Sequence, residues 1–301
     1  MSPASRQAAQ EKQWAALSSV IAAVGLTGFK LIVGLTTGSL GILAEAAHSG
    51  LDLAAAVMTL FAVRVSSRPA DGSHLYGHGK VENLSALLET FLLLLTCIWI
   101  ISEAVERLVS KQVVVEVNLW SFVVMATSIV VDVSRSRVLY RAARKHNSQA
   151  LEADALHFST DVWSSGVVII GLISLLLSRR FPPLASLRSA DSVAAILVAV
   201  ICLYVIYRLG MRTMHGLLDA APAGVAQAIT SAVEALPGVA NCHKVRIRTA
   251  GAQTFVDVHV LVDGGQTLQQ AHDLTEEIER AIQRVAPESD VTVHPEPAGL
   301  G

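Results

Sequence analysis

The sequence predicts an α-helical membrane protein with six transmembrane helices, followed by a small α+β domain. Of its 301 residues, 52% are hydrophobic and only 16% are charged, whereas about 25% of an average soluble domain is charged. Three segments extend for 16 or 17 residues without Lys, Arg, Asp or Glu: Gln13–Phe29, Val162–Ser178 and Ser192–Tyr207. After Met211 the composition becomes that of a soluble domain.

Six segments are long enough and apolar enough to cross a bilayer, which takes about 20 mostly apolar residues. They are Trp14–Leu35, Leu40–Val63, Leu84–Ile101, Leu119–Leu139, Leu151–Leu177 and Asp191–Leu209. Six crossings place both ends of the chain on the same side. Ten Lys and Arg residues, Arg135 among them, flank the spans on that side, and five flank them on the other. Because basic residues are enriched in cytoplasmic loops, we expect both termini in the cytoplasm.

The C-terminal part has the hydrophobic patterns of a small soluble domain. Apolar residues recur at helical spacing within Val225–Leu236 and Leu268–Ile282, and at every second position within Val256–Val262. The predicted order is helix, strand, strand, helix, strand, which forms an α+β layer. The chain therefore divides into a transmembrane domain, residues 1–210, and a cytoplasmic domain, residues 211–301.

Charge and cysteine content exclude several classes of protein. The 23 basic and 25 acidic residues nearly balance, and no run of aromatic and basic residues offers a surface for stacking bases, so nucleic acid is not an expected partner. The 3 cysteines are far apart and form no CxxC pair. Their positions therefore favour neither a disulfide framework nor a thiolate zinc site.

Two of the predicted spans carry the same polar motif. His48 and Asp52 lie four residues apart in the second span, and His157 and Asp161 repeat this spacing in the fifth. Residues at this spacing share one face of a helix, so two facing helices offer two imidazole nitrogens and two carboxylate oxygens. This tetrahedral set suits Zn²⁺. For a single pair, a local hydrogen bond from histidine to aspartate is an equal alternative, but its repetition in two spans favours the metal.

Carboxylates inside a bilayer need a neutralising partner. One aspartate at the centre of a span costs about 2.5 to 3.5 kcal/mol, so Asp52 and Asp161 together cost on the order of 5 to 7 kcal/mol when unpartnered. A divalent cation neutralises them, and protons replace it when it leaves. Competition between metal and protons predicts exchange of one for the other. Glu45, Glu89 and Asp132 also lie in or near apolar segments, and we do not assign them as ligands.

Two further groups of residues contain side chains that commonly bind metals. The first lies in the connection after the second span, where glycines permit tight turns, and consists of Asp71, His74 and His78. The second lies in the C-terminal domain and consists of His243, His259, His272, His294 and Glu296. From the residues alone, both groups have an alternative interpretation as solvated surface side chains.

Five motifs follow one another along the chain. In chain order they are the run Gly-Ser-Leu-Gly-Ile-Leu-Ala-Glu-Ala before His48, the first HxxxD pair, the run His-Leu-Tyr-Gly-His-Gly-Lys-Val-Glu from His74, the second HxxxD pair, and Leu-Leu-Asp219 with Pro222. In this order they resemble the cation diffusion facilitator family of zinc and related divalent-metal transporters. The resemblance extends over nearly the whole chain, from the first span to His294.

The resemblance implies a role for each group of candidate ligands. It implies an intramembrane transport site made by His48, Asp52, His157 and Asp161. It implies a cytoplasmic loop site made by Asp71, His74 and His78. It also implies a metal cluster in a ferredoxin-like cytoplasmic domain, made by His243, His259, His272 and His294. Finally, it implies a homodimer in the inner cell membrane, in which Lys80 and Asp219 form a charge pair that helps to lock the dimer.

The chain departs from the family pattern at two positions. The C-terminal motif of the family often ends His-x-Asp, where this chain has His294-Pro-Glu296. Some relatives have Asp at the position of His48. The second imidazole of this chain is similar to that of zinc-preferring members, because nitrogen ligands disfavour hard ions such as Mn²⁺.

We therefore expect a secondary active transporter that exports divalent cations, above all Zn²⁺, through the lipid bilayer in exchange for protons. Other divalent metals, Cd²⁺, Co²⁺, Fe²⁺ or Ni²⁺, are the alternative cargo. An intramembrane metalloprotease commonly uses an HExxH motif, and no histidine in this chain is followed by Glu, so we do not expect an enzyme. A passive channel would use rings of weak oxygen ligands.

Overall fold

The computed structural model describes residues 3–110, 119–180 and 190–298. The described residues of Met1–Pro69 and Val81–Thr213 form one compact unit, and those of Ala70–Lys80 and Met214–Gly301 form a second. The connection Ala70–Lys80 thus packs with the C-terminal unit, although it lies in the sequence range expected for the transmembrane domain. The division at residue 210 stays a prediction.

The first unit consists of long helices. They are α1 (Pro3–Thr37), α2 (Leu40–Ser66), α3 (Lys80–Ser110), α4 (Leu119–His146), α5 (Gln149–Arg180) and α6 (Ala190–Leu217). Each predicted span lies inside one of these helices. Among the described residues, three helical segments have the length and hydropathy of a membrane span: Arg6–Thr37, Leu40–Ser66 and Lys80–Trp99. Membrane crossing by α4, α5 and α6 stays a prediction.

Short connections make α1 with α2, and α4 with α5, antiparallel neighbours. Between α1 and α2, Gly38 adopts a positive φ of 64°, and the Ser39 hydroxyl accepts a hydrogen bond from the N–H of Ile42 at the start of α2. Between α4 and α5, Ser148 Oγ accepts from the N–H of Leu151 at 3.5 Å. These serines satisfy N–H groups that the first turn of a helix leaves without a backbone partner.

A common apolar core joins these two helix pairs. Its buried members come from α1, α2, α4 and α5 and include Ala16, Val63, Leu139, Leu151 and Phe158. Small side chains such as alanine let helix backbones approach closely, which favours helix packing in membranes. The core therefore brings α2 and α5, the two helices with HxxxD motifs, into one bundle.

A buried carboxylate ties α3 to this bundle. Glu82 of α3 is 1% exposed and accepts hydrogen bonds from Lys12 Nζ of α1 at 2.6 Å and from Ser66 Oγ of α2 at 2.8 Å. It also accepts from the hydroxyl of Ser148, which precedes α5. One side chain thus contacts polar groups from three other parts of the bundle, and its charge is paired with an ammonium.

The second unit has the predicted order of helix, strand, strand, helix, strand. Its elements are α7 (Val225–Glu234), β1 (Val239–Ala250), β2 (Gln253–Val262), α8 (Leu268–Val285) and β3 (Asp290–Pro297). In the sheet, β2 lies between β1, which is antiparallel to it, and β3, which is parallel to it. The predicted α+β fold class is confirmed.

The core of the second unit lies between its sheet and its two helices. Val256, Val258 and Val260 of β2 are all fully buried, because alternate residues of a strand point to the same face. They pack with Ile229 of α7 and Ile278 of α8. The alternation of valines along β2 therefore produces the apolar face that both helices cover.

Replacing Ile278 with alanine tests this core. Ile278 is 0% exposed, so we expect Ile278→Ala to lower the free energy of unfolding of this unit by about 2 to 5 kcal/mol through lost burial and a cavity. The measurement is hydrogen exchange of the β2 amides in the full-length protein. Leu268→Ala, at a residue that is 88% exposed, is the control and should change exchange little. If both variants accelerated hydrogen exchange of the β2 amides equally, the proposed packing of Ile278 against β2 would be contradicted.

Candidate functional site

The two HxxxD motifs meet between α2 and α5. His157 Nε2 of α5 lies 3.2 Å from Asp52 Oδ1 of α2 and 3.6 Å from Asp161 Oδ2 on its own helix. His48 Nε2 lies 3.9 Å from Asp52 Oδ1. Ligand atoms of His48, Asp52 and Asp161 also lie within 4.8 Å of one another. The four side chains that the sequence singles out therefore form one cluster.

Three nitrogen-to-oxygen distances in the cluster are near those of a tetrahedral ion site. Zinc bonds of about 2.0 to 2.1 Å at tetrahedral angles separate neighbouring ligand atoms by about 3.3 Å. The nitrogen-to-oxygen distances in the cluster are 3.2, 3.6 and 3.9 Å. Ligand atoms of His48, Asp52 and Asp161 lie mutually within 4.8 Å, and His157 joins them through its contacts with Asp52 and Asp161.

Because the cluster is buried, a cation bound there would stabilise its carboxylates. The side chains of His157, Asp52 and Asp161 are 6, 12 and 13% exposed. Within the described part of the chain, the buried Oδ2 atom of Asp161 has no hydrogen-bond partner. A buried carboxylate oxygen without a partner loses its hydration with no compensation. A divalent ion supplies that compensation, so the donor set and its environment suit metal binding.

A lysine that the sequence prediction overlooked lies beside the cluster. Lys30 of α1 is 4% exposed, and its Nζ donates to Glu45 Oε2 at 3.2 Å and to Ser49 Oγ at 2.8 Å. Glu45 thus has a cationic partner and is not among the atoms that converge on Asp52. Lys30 lies within the predicted span Trp14–Leu35, and an ionisable residue inside a span is the signal that identifies it.

The other two acids noted in the spans also have partners. Asp132 Oδ1 lies 3.3 Å from the Arg135 guanidinium, and Glu89 accepts a hydrogen bond from the Thr59 hydroxyl. Arg135 is 5% exposed and stacks 3.4 Å from the centre of the Phe158 ring. Arg135 therefore lies inside the helix bundle, and the cytoplasmic placement of both termini stays a prediction.

The connection between α2 and α3 gathers its three predicted ligands. His74 Nδ1 lies 3.4 Å from Asp71 Oδ1, and His78 Nε2 lies 3.3 Å from Asp71 Oδ2. The backbone N–H groups of His74 and Ser73 donate to Asp71 Oδ1 at 2.8 and 2.9 Å. These hydrogen bonds hold the pKa of the Asp71 carboxyl well below its usual range. The carboxylate is therefore ionised and oriented toward both imidazoles.

This loop is anchored on the hairpin of the C-terminal sheet. Tyr76 packs edge-on against Phe255 at 5.2 Å between ring centres, and the Arg248 guanidinium lies 3.7 Å from the centre of the Tyr76 ring. At Gly79 the backbone approaches so closely that a Cβ would overlap the carbonyl oxygen of Ala250. Only glycine fits this contact.

Strand register aligns three histidines across the sheet. His243 of β1 is paired with His259 of β2, which is paired with His294 of β3. Glu296 reaches this row, because its Oε1 lies 2.7 Å from His259 Nδ1 and its Oε2 lies 3.3 Å from His243 Nε2. The hydrogen bond with His259 lowers the pKa of the Glu296 carboxyl. The longer carboxylate therefore reaches the histidines although the family motif often has aspartate.

The remaining candidates lie at or beyond the edge of this row. His294 Nε2 is 3.7 Å from Glu296 Oε1. His272 lies on α8, where its Nε2 is 3.7 Å from Oε1 of Glu276, and its place in the metal cluster stays a prediction. Lys80 Nζ lies 2.9 Å from Asp219 Oδ1 of the same chain. That charge pair forms within one protomer.

Comparison with known proteins identifies the family. The sequence model of the cation efflux transmembrane domain matches residues 16–218, and that of the cytoplasmic domain of cation efflux proteins matches residues 222–298. The chain belongs to the cation diffusion facilitator family. The resemblance seen in the sequence motifs is thereby confirmed.

Curated relatives of this cation efflux transporter match it along almost its whole length. It is 33% identical to the cation-efflux pump FieF of Cronobacter sakazakii over 287 residues, which are 95% of this chain and 93% of the pump. It is also 33% identical to FieF of Serratia proteamaculans over 299 residues, 96% of each chain. The naming of these relatives as pumps agrees with the prediction of a membrane transporter and not an enzyme.

The C-terminal unit is also similar to solved domains. The metal-bound C-terminal domain of the CzcD transporter from Thermotoga maritima is 36% identical in sequence. The match covers 25% of this chain and 88% of that domain, with a TM-score of 0.24.

A glycine substitution tests the anchoring of the loop. Because a Cβ at position 79 overlaps the Ala250 carbonyl, we expect Gly79→Ala to displace the loop at a cost of about 1 to 3 kcal/mol. Faster proteolysis within Ala70–Lys80 of the full-length protein would report the displacement. Gly72→Ala, where a Cβ meets nothing within 4 Å, is the control in the same loop. The contact is contradicted if both variants are cleaved at the parental rate.

Proposed function

We propose that this transporter exports Zn²⁺ from the cytoplasm in exchange for protons, and that His48, Asp52, His157 and Asp161 form its transport site. The observation that carries the proposal is the convergence of two imidazoles and two carboxylates from α2 and α5, with a nitrogen-to-oxygen contact of 3.2 Å between the helices. Buried donors of this kind between two apolar helices favour a metal pathway over a surface ion pair.

The donor set supports zinc as the main cargo. Two nitrogens and two oxygens complete a tetrahedron, which is the usual geometry of Zn²⁺ in closed sites. Harder ions such as Mn²⁺ favour oxygen ligands and more of them. Four protein ligands also leave no position for a reactive water molecule, which a zinc enzyme requires. The same arrangement therefore favours binding and transport over catalysis.

The same four side chains support coupling to protons. Two ionised carboxylates carry two negative charges, which one divalent cation neutralises. When the cation leaves, protons can replace it, because burial and mutual repulsion favour the neutral form of each carboxylate, and a proton on His157 is stabilised by the carboxylates 3.2 and 3.6 Å away. Metal and protons then occupy the site alternately. A change of access from one membrane face to the other between these states gives antiport.

We assign the loop cluster and the C-terminal cluster a regulatory or accessory role. Asp71, His74 and His78 in the loop, and His243, His259 and Glu296 on the sheet, provide donors at about the same separations as the transport site. We propose cytoplasmic metal binding at both, within a homodimer in the inner membrane whose two termini are cytoplasmic. Zinc bound by the C-terminal units would draw the protomers together when zinc is plentiful. Lys80 and Asp219 would stabilise this assembly by pairing near the membrane surface.

Removing one transport ligand tests the proposal directly. We expect Asp161→Ala to reduce zinc uptake into proteoliposomes under an imposed pH gradient by more than about tenfold, since loss of even an outer-shell partner costs 10- to 100-fold. Asp273→Ala, which makes the same change on α8, should transport at the parental rate. The assay also separates antiport from a channel, because zinc flux through a channel does not depend on the pH gradient.

Parental uptake by Asp161→Ala would refute the transport site. If zinc uptake by the parental protein does not depend on the direction of the pH gradient, proton exchange is refuted, but the assignment of the transport site is not. These two results are therefore independent.

The C-terminal cluster has its own test. Because Glu296 contacts two histidines and its carboxyl has a lowered pKa, it is an anionic ligand at neutral pH. We expect Glu296→Gln to weaken zinc binding to this cluster by about tenfold or more, measured by calorimetry on full-length protein that also carries Asp161→Ala. Glu277→Gln, which alters an exposed acid on α8, is the control. Unchanged zinc binding in Glu296→Gln would contradict the assignment.

A further inference from the structure

A third polar residue lies on the face of α2 that carries His48 and Asp52, called here the ligand stripe. Glu45 precedes His48 by three residues and Asp52 by seven, so all three lie on one face of the helix, about one turn apart. Side chains at neighbouring positions of such a stripe have Cβ atoms about 5 to 6 Å apart. A glutamate one turn from a ligand is long enough to turn toward the same ion.

Exposure falls along this stripe toward the cluster. The side chain of Glu45 is 44% exposed, that of His48 32%, and that of Asp52 12%. Glu45 lies nearest to the connection between α1 and α2, at the end of the stripe that is most open. It is therefore the carboxylate adjoining the transport site on that side.

Lys30 determines where this carboxylate points. Its ammonium is held between Glu45 Oε2 at 3.2 Å and Ser49 Oγ at 2.8 Å, and it is almost completely buried. Thr27, one turn before Lys30 on α1, donates to the carbonyl oxygen of Ser49 at 3.0 Å. Two contacts from α1 thus meet at Ser49, directly after His48. The position of the ammonium relative to the ligand stripe is therefore well defined.

We propose that Lys30 is a specificity-determining residue of this transporter, which pairs with Glu45 and so keeps that carboxylate out of the metal coordination shell. The proposal rests on the transport site proposed above. With Glu45 engaged, the ion meets two nitrogens and two oxygens. Without Lys30, the freed carboxylate adds one or two oxygen ligands and a further negative charge.

The added ligands change which ions the site prefers. Zinc is satisfied by four ligands in a tetrahedron, whereas oxygen-rich sites with six ligands suit Mn²⁺. A site with a third carboxylate therefore gains affinity for Mn²⁺ relative to Zn²⁺. The ion pair between Lys30 and Glu45 excludes Mn²⁺ by withholding a ligand that the helix would otherwise provide.

The test compares four variants by their relative transport of Mn²⁺ and Zn²⁺ into proteoliposomes. We expect Lys30→Gln to raise the ratio of Mn²⁺ to Zn²⁺ transport about tenfold, the size of effect seen for groups next to metal ligands. Lys30→Arg keeps the positive charge and should retain the parental ratio. The double variant Lys30→Gln with Glu45→Gln removes both charges, so it should return to the parental ratio, and Glu45→Gln alone should not differ from it.

The double variant separates this role from a structural one. If the ratio stays raised when Glu45 is also replaced, or if Lys30→Gln leaves the ratio at the parental value, the proposal is overturned. Lys30→Met keeps the apolar stem of the side chain and carries the same comparison if Lys30→Gln does not fold. Asp161→Ala in the same assay distinguishes the two proposals. If Asp161→Ala loses transport while Lys30→Gln keeps the parental ratio of Mn²⁺ to Zn²⁺ transport, only the role of Lys30 is refuted.

Discussion

The structure depends on neutralising two carboxylates, Asp52 and Asp161, that lie between helices in an apolar environment. Each would cost a few kcal/mol if it remained charged and alone in a membrane. The nearest imidazole, that of His157, is 3.2 Å from one of them and 3.6 Å from the other. Two ionised carboxylates and two neutral imidazoles together carry two negative charges. A divalent cation or protons can neutralise them. This requirement links the packing of α2 against α5 to the proposed transport site.

The three clusters of histidine and acid share donors but differ in burial. Asp161 lies among buried groups, whereas the side chain of Asp71 in the loop is 50% exposed. Water can solvate an exposed carboxylate, so the loop tolerates either presence or absence of an ion. In the bundle, water is largely replaced by apolar side chains, so occupancy by a cation or protons is energetically required. The bundle cluster therefore fits the proposed exchange of metal and protons, and the loop cluster fits reversible binding.

Two further acids of the helix bundle form ion pairs within the protein. Lys30 binds Glu45, and Arg135 binds Asp132 while stacking on Phe158. Removing Arg135 or Asp132, whose side chains are 4% and 9% exposed, leaves the other charged and buried, which is strongly destabilising. Pairing also makes these groups poor metal ligands, because their oxygens already have cationic partners. The bundle thus separates acids that maintain its structure from those that remain available to an ion.

Local patterns determined much of this protein. Helical spacing placed His48 with Asp52 and His157 with Asp161 on common faces, and alternation placed the valines of β2 in the core, because these relations depend only on the repeat of one element. Tertiary structure decided which side chains meet across elements. It paired Lys30 with Glu45, seated the loop around Tyr76 on the C-terminal hairpin, and brought Glu296 to the histidine row while His272 lies on α8. Such contacts follow from helix packing and strand register, which join residues far apart in the chain and leave no periodic signal in the sequence.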